Sequence, residues 1–263
     1  MGVSDTRGSA PGSTGTPAAA PSRLRVVLIA PAYNEGGKIG RVVGKVAAVA
    51  PRLPCDLEMV VVDDGSSDGT VAEAEAAGAT VVRHEHNQGV GAGIRSGIDW
   101  ARERGFAIAA VISGDDQHEP EELTRLLTPL VSGEADLVQG SRWRRGGRVV
   151  NIPLHRSILT RVYSWMVRLL VGFRCTDGTN GLRAFRLSIF DDERINLWQS
   201  WLDTYELEPY LLYQAIRTGV RVVEVPCTVR YHSREVGFTK MRPWRDWWRI
   251  LRPLLLLKLG LRK

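Results

Sequence analysis

Residues 24–35 read LRVVLIAPAYNE, and residues 57–68 read LEMVVVDDGSSD. Each is a short, largely β-branched run that breaks abruptly into polar residues. The pattern recurs where AIAAVI at 107–112 runs into Ser113-Gly114-Asp115-Asp116-Gln117-His118-Glu119-Pro120. Apolar runs of this length, closed by turn-forming residues, are the signature of strands buried on both faces. Shorter candidates lie at 80–83 and 136–139. Between these strands, 37–50, 70–77, 91–104 and 120–131 have the length and apolar spacing of amphipathic helices. Strand and helix alternating five times predict an α/β fold, with a mostly parallel central sheet and helices on both faces. In such sheets the ligand sits at the carboxyl ends of the strands, which is where all three polar clusters fall.

After Gly140 the alternation stops. A helix is predicted over 153–171, whose charged residues are all arginine: Arg156, Arg161 and Arg168. Another is predicted over 203–218, then a strand at 220–225 and an arginine-rich loop. The last helix, over 243–261, places Trp244, Trp248, Leu251 and Leu255 on one stripe beside Arg245, Arg249 and Arg252. That is the pattern of an interfacial helix, and docking on the protein's own core is the alternative. Residues 1–22 are almost all Gly, Ala, Ser, Thr and Pro, with too little apolar surface to offset the entropy of ordering. They are expected to be disordered, and they lack the basic start and apolar run of a secretory signal. The expected organisation is therefore a disordered 1–22, a catalytic domain over 23–241 and a basic amphipathic helix over 242–263.

A chain of 263 residues, 44% hydrophobic and 24% charged, can bury one large core. The longest apolar stretches fall short of the roughly 18 residues a spanning helix needs, which excludes a polytopic membrane protein. Cys55, Cys175 and Cys227 are odd in number and far apart, an arrangement that suits neither a disulfide framework nor a cysteine zinc site. The net charge is +6, yet residues 230–263 hold ten Lys or Arg against Glu235 and Asp246, a net of +8. Basicity gathered in one tail points to an anionic membrane surface rather than to nucleic acid.

The polar clusters carry the chemistry. A lone Asp at a strand end is commonly a helix cap, the role expected of Asp68. Three such clusters on one sheet edge would line one cleft. Asp115, Asp116 and Gln117 are all oxygen donors, which favours a hard divalent ion, Mg²⁺ or Mn²⁺, over zinc. Such ions usually accompany phosphates, so a nucleoside diphosphate is the natural ligand. The run Gly89-Val90-Gly91-Ala92-Gly93 lacks the third glycine of a dinucleotide fingerprint, since position 94 is Ile94, and it lacks the Gly-Lys-Ser/Thr of a P-loop. Its glycines are expected to allow close packing of helix on sheet.

Three stretches together resemble the family-two inverting glycosyltransferases of GT-A fold: PAYNE at 31–35, VDDGSSDGT at 62–70 and GDDQHEP at 114–120. Within that family the chain is most similar to the polyprenyl-phosphate sugar synthases of the dolichol-phosphate mannose synthase type, over roughly residues 24–241. The resemblance implies that Pro31, Tyr33 and Glu35 shape the nucleotide pocket, that Asp64 contacts the base, and that Asp115 and Gln117 bind the metal. The first Asp of the family's Asp-x-Asp-x-Gln-His motif is Ser113 here, and Asp116 falls on a variable position. Gly140-Ser141-Arg142 resembles the family's Gly-Ser-Arg, whose Arg faces the acceptor phosphate. Arg156 and Thr160 correspond to an Arg and Ser four residues apart, a spacing that puts both on one helical face. Arg234 to Lys240 resembles Arg-x-x-Gly-x-Ser-Lys, a loop that closes over the phosphates, and Asp177-Gly-Thr-Asn-Gly181 resembles Asp-Pro-Thr-Ser-Gly.

The implied function is transfer of a hexose from a GDP- or UDP-linked sugar to a polyprenyl phosphate. The implied setting is the cytoplasmic face of a membrane, with a membrane-protein partner as a further expectation. A phosphomonoester acceptor is already ionised, so Arg142, Arg156, Arg234 and Lys240 are expected to position and neutralise rather than deprotonate. The competing reading is a hydroxyl acceptor, which needs a carboxylate base; Asp203, Glu206 and Glu208 are the candidates. The Gln-x-x-Arg-Trp motif of processive synthases is absent. A non-catalytic nucleotide-sugar or membrane-binding subunit is the remaining alternative.

Overall fold

The computed structural model describes residues 23–232 and 243–262. The disordered segment expected over 1–22 lies outside these residues, as do Arg234 and Lys240. Strands β1 (Arg25–Ala32), β2 (Asp56–Asp63), β3 (Thr80–Arg83) and β4 (Ile108–Val111) alternate with helices α1 (Ile39–Val49), α2 (Thr70–Ala76) and α3 (Val90–Glu103). After α4 (Leu123–Val131) come β5 (Leu137–Ser141), β6 (Arg148–Val150), α5 (Leu154–Val171), β7 (Arg183–Arg186), α6 (Leu207–Thr218), β8 (Val222–Pro226), β9 (Thr228–Arg230) and α7 (Pro243–Lys258).

Seven strands form one sheet in the order β3-β2-β1-β4-β7-β5-β8. Every pairing is parallel except those of β7, which runs antiparallel to both β4 and β5. The expected mostly parallel sheet is thus present, and β1, β2, β4 and β5 all end at one edge. Strands β6 and β9 pair in parallel as a small separate sheet beside that edge.

Alternation along β1 shows why its run is apolar throughout. Val27 and Ile29 pack into the layer formed with α3 and α6, whereas Val26, Leu28 and Ala30 face the layer of α1 and α4. Both faces of the strand are covered, so no polar residue is tolerated.

Several boundaries differ from expectation. The helix expected over 203–218 starts at Leu207, because residues 203–206 form a connection that packs against the start of α3: Ala92 N–H donates to the Asp203 carbonyl at 3.0 Å. Gly89 and Gly91 serve this contact, whereas a Cβ on Gly93 would meet Pro31 of β1 at 3.4 Å, on the sheet as expected. A Cβ on Gly91 would lie 2.1 Å from the Leu202 carbonyl oxygen, and one on Gly89, which takes φ +106°, 2.4 Å from the Asp203 carbonyl oxygen. The approach to the sheet is tighter still one turn later, where a Cβ on Gly97 would meet Ile29 at 2.4 Å.

Helix α7 presents to the core a face other than the stripe of Trp248, Leu251 and Leu255 expected from the sequence. Ile250, Leu254 and Leu257 are buried in the core, with Trp247 and Leu251 packed at its edge, while Trp248 stays exposed. The helix meets α5 and α6. No helix among the described residues is long and apolar enough to cross a membrane. Cys55, Cys175 and Cys227 are all buried and unpaired, and burial pushes the Cys55 thiol up to about 11.

Candidate active site

A cavity of about 530 Å³ opens at the carboxyl edge of the sheet, where β1, β2, β4 and β5 release their polar residues. Its wall includes Pro31, Tyr33, Glu35, Asp64, Asp115, Gln117, Arg142 and Arg156. The described donor, metal and acceptor candidates implied by the resemblance are therefore brought to one place, except Thr160; of the alternative bases only Glu208 joins them, and Asp203 and Glu206 do not. Thr160 is 1% exposed, and its hydroxyl donates to the Ser157 carbonyl at 3.0 Å, so its place is in the helix packing. A rotation of about 40° around α5 separates it from Arg156, and the pairing of Arg156 with Thr160 on one phosphate is corrected accordingly.

The part of the wall supplied by β1 and β2 is held by backbone hydrogen bonds. Asp64 accepts from the Gln88 and Gly89 N–H groups, both at 2.8 Å, and its Oδ1 lies 2.7 Å from His84 Nδ1. Both carboxylate oxygens are thereby engaged in fixing the loop that opens α3. Asp68, expected to cap α2, lies one residue before the N-cap position, which is Gly69; it accepts from Thr70 N–H and Gly36 N–H, each at 3.0 Å, and so ties the 31–37 loop to the start of α2. Lys38, which the sequence reading passed over, lines the cavity and donates to Glu35 at 3.0 Å.

On the loop after β4 the two adjacent carboxylates separate. Asp116, with φ +62°, turns outward and pairs with Lys45 at 2.7 Å and Arg41 at 3.2 Å on α1. Asp115 and Gln117 remain on the cavity wall with Ser113. His118 is buried, its Nε2 within 3.0 Å of Asn180 Oδ1. That oxygen also accepts from Leu182 N–H, so the imidazole donates through Nε2. Burial pushes its pKa below the ordinary range, against the pull of Asp115.

Arg142 and Arg156 face the same cavity in different states. The Arg142 guanidinium donates to Asp177 through Nε at 2.6 Å and Nη2 at 2.7 Å, to Thr179 through Nη2 at 2.7 Å, and to Tyr231 through Nη1 at 2.6 Å. Burial alone would lower its pKa; the Asp177 carboxylate more than offsets this and holds it above the ordinary value. Glu224, 4% exposed, accepts from the Thr176 and Asp177 N–H groups and so braces the turn carrying Asp177. Arg142 is consequently a rigid post with most of its donors committed. Arg156 Nη1 is buried with no hydrogen-bond partner, its guanidinium carbon lies 5.0 Å from the Tyr231 ring centre, and burial pulls its pKa below the ordinary value.

Two walls escaped the sequence reading. Tyr205, from the 203–206 connection, has its phenol pushed up to about 12 by burial and by Asp246. Arg245 and Arg249 enter from α7. The helical spacing of these arginines was legible, but which face of α7 met the cavity was not. The candidate bases are all tied to arginine: Asp203 to Arg95, Glu206 to Arg252 at 2.7 Å, and Glu208 to Arg183 at 3.1 Å.

The profile of glycosyl transferase family 2 matches residues 27–194. The chain belongs to this family. It is an enzyme of the glycosyltransferase class. Over 231 residues it is 36% identical to a polyprenol monophosphomannose synthase of Mycolicibacterium smegmatis, covering 86% of this chain and 84% of the relative. It is 33% identical to an undecaprenyl-phosphate mannosyltransferase of Micrococcus luteus, covering 83% and 88%. In fold it is similar to glucosyl-3-phosphoglycerate synthase of Mycobacterium tuberculosis in complex with Mn²⁺, UDP-glucose and phosphoglyceric acid. That likeness has a TM-score of 0.65 at 20% identity, over 92% of this chain and 81% of the other. The same synthase has also been solved with Mg²⁺ and UDP.

The residues present fit such an ion. Asp115 and Gln117 offer two hard oxygen donors on the cavity wall, and among the described residues no group of three or more His, Cys, Asp or Glu is placed to hold a metal. A closed zinc site is thus not provided for. A sparse oxygen set that leaves room for phosphate and water is how Mg²⁺ is usually held.

Proposed function

We propose that this enzyme moves a hexose from a GDP- or UDP-linked donor to a polyprenyl phosphate, with inversion, at the cytoplasmic face of a membrane. The observation that carries the reading is Arg156. A buried guanidinium with an unpartnered Nη1, on the wall of a cavity that also holds the metal-type donors, is built to receive an anion that arrives with the substrate. The names of the two relatives above support a lipid phosphate as that anion. So does the outer face of α5, the helix that carries Arg156, which is apolar where it meets solvent and offers a path for an isoprenoid tail.

Held by Asp115 and Gln117, Mg²⁺ or Mn²⁺ would neutralise the departing nucleoside diphosphate. The acceptor phosphate oxygen forms a new bond to the anomeric carbon on the face opposite the leaving group. The bond from that carbon to the diphosphate oxygen breaks, and the diphosphate leaves with its electron pair. A phosphate oxygen is ionised at neutral pH, so the step requires placement and charge balance rather than a base. Arg156 binds the acceptor, the Arg142–Asp177 pair fixes the wall beside it, and Lys38 offsets charge on the donor side. Arg234 and Lys240 are assigned to the loop that closes over both phosphates. A hydroxyl acceptor would need a general base, and the ion pairs of Asp203, Glu206 and Glu208 speak against one.

The test is incubation with radiolabelled GDP-mannose, UDP-glucose and UDP-N-acetylglucosamine and a short polyprenyl phosphate, with Mn²⁺ or Mg²⁺ and again with EDTA. Label in the lipid phase that requires metal supports the proposal. Donor hydrolysis without lipid product refutes it.

A further inference from the structure

Helix α7 turns Ile250, Leu254 and Leu257 to the core and leaves Trp248 of its expected membrane stripe exposed, whereas α5 keeps a longer stripe that nothing among the described residues covers. Six of the eleven exposed large hydrophobic side chains among the described residues belong to this one helix. Leu154, Ile158, Val162, Trp165 and Leu169 follow one another at spacings of three and four, so they share a face. Leu154 is 76% exposed, Leu169 66% and Trp165 59%. Packing does not explain them, since the opposite face of the helix, with Ser157, Thr160, Tyr163, Ser164 and Val167, already meets the body.

Charge says what covers the stripe. Residues 142–174 contain eight arginines and neither Asp nor Glu, a net of +8. The whole chain is +6 and residues 230–263 supply another +8, so everything else sums to −10. Arg161 and Arg168 flank the stripe on α5 itself. Arg161 lies over the Trp143 ring at 4.0 Å, which draws the loop with exposed Arg144 and Arg145 to the same flank. A long apolar face bordered by cations alone is the composition of a helix lying in the headgroup layer of an anionic bilayer.

We infer that this chain docks on anionic lipid through the outer face of α5 and the arginine rim of the 142–148 loop, and not through α7. The inference extends the proposed lipid-phosphate acceptor, because the same helix turns Arg156 inward to the cavity while its outer face enters the lipid. Docking itself requires neither donor nor acceptor.

The experiment is flotation of the full chain with vesicles of phosphatidylcholine plus phosphatidylglycerol, against phosphatidylcholine alone, with neither donor nor acceptor present. Variants are Ile158→Glu on the stripe, the double change Arg144→Glu and Arg145→Glu on the rim, and Trp248→Glu on the exposed side of α7. All four positions are solvent-exposed, so unchanged circular dichroism and melting are expected. Binding should need the anionic lipid, fall at least tenfold in I158E, and fall about fivefold for each arginine removed. It should also weaken with salt and survive in W248E. Loss in W248E with retention in I158E would overturn the inference. So would failure of the wild-type chain to float, or sedimentation as a dimer that I158E dissociates, which would make the stripe a self-interface. Because the vesicles lack substrates, these results stand apart from the outcome of the transfer assay.

Discussion

Replacing Arg156 separates a substrate ligand from a structural cation, because only the structural role predicts a large loss of stability. The guanidinium is desolvated, Nη1 has no partner, and the contact that steadies it is the Tyr231 ring at 5.0 Å. A cation–π contact in that setting contributes about 1–2 kcal/mol, while the buried, unpaired donor costs about 1–3 kcal/mol. The two nearly cancel, so Arg156→Ala should change unfolding free energy by less than about 1 kcal/mol. Loss of charge-assisted hydrogen bonds to a phosphate should cost about 1.5–3 kcal/mol, hence about tenfold to a hundredfold in kcat/KM for the acceptor. The KM for the nucleotide sugar should not move. Arg156→Lys should recover only part of the loss, since a point charge does not replace a planar fork. The assay is steady-state kinetics with each substrate varied in turn, beside urea unfolding. A drop in stability of several kcal/mol with acceptor kinetics intact would refute the reasoning.

Other residues divide in the same way. Asp115→Ala should abolish metal-dependent turnover, whereas Asp116→Ala should keep it and lose about 1 kcal/mol of stability, since its partners Lys45 and Arg41 are half exposed; activity and thermal melts check both. Glu206→Gln should retain activity and lose about 1–2 kcal/mol, the buried-pair cost reduced because Arg252 is 32% exposed. Abolished turnover with normal stability would make Glu206 a base. His118 is held below its unfolded pKa by burial, so the folded state resists protonation. Its contribution is complete above about pH 6.5 and is lost as the pH falls below that value toward the folded pKa. Urea titrations of the metal-free protein at about pH 8 and pH 5 should show that loss, and His118→Asn should flatten it.

The parallel half of the sheet was legible because the central runs of β1, β2 and β4, Val26–Ala30, Val60–Val62 and Ile108–Val111, are buried and uniformly apolar. Strand β7 was not. Its four residues, Arg183-Ala-Phe-Arg186, begin and end with arginine, yet Arg183 is 1% exposed and paired with Glu208. A buried ion pair cannot be told from a surface loop by composition alone. The cavity wall was legible where one motif supplied it, as at 31–35 and 113–118. It was not legible where distant segments converge, as Asp177, Glu224 and Tyr231 do around Arg142. Thr160 shows the limit of spacing arguments: four residues place two side chains on one face, but a further 40° of rotation decides which enters a cavity and which enters a helix contact. Charge was misjudged in the same manner. The arginines of 142–174 are cancelled by acids elsewhere in the chain, so the net value hid a second basic surface.

The most direct test of the central claim is product identity. The chain, with Mn²⁺ and each labelled donor in turn, should place label on a short polyprenyl phosphate in an acid-labile, phosphatase-resistant linkage, with none transferred when the phosphate is replaced by the free polyprenol. Equal transfer to the polyprenol, or transfer only to a soluble phosphorylated hydroxy acid, would contradict it.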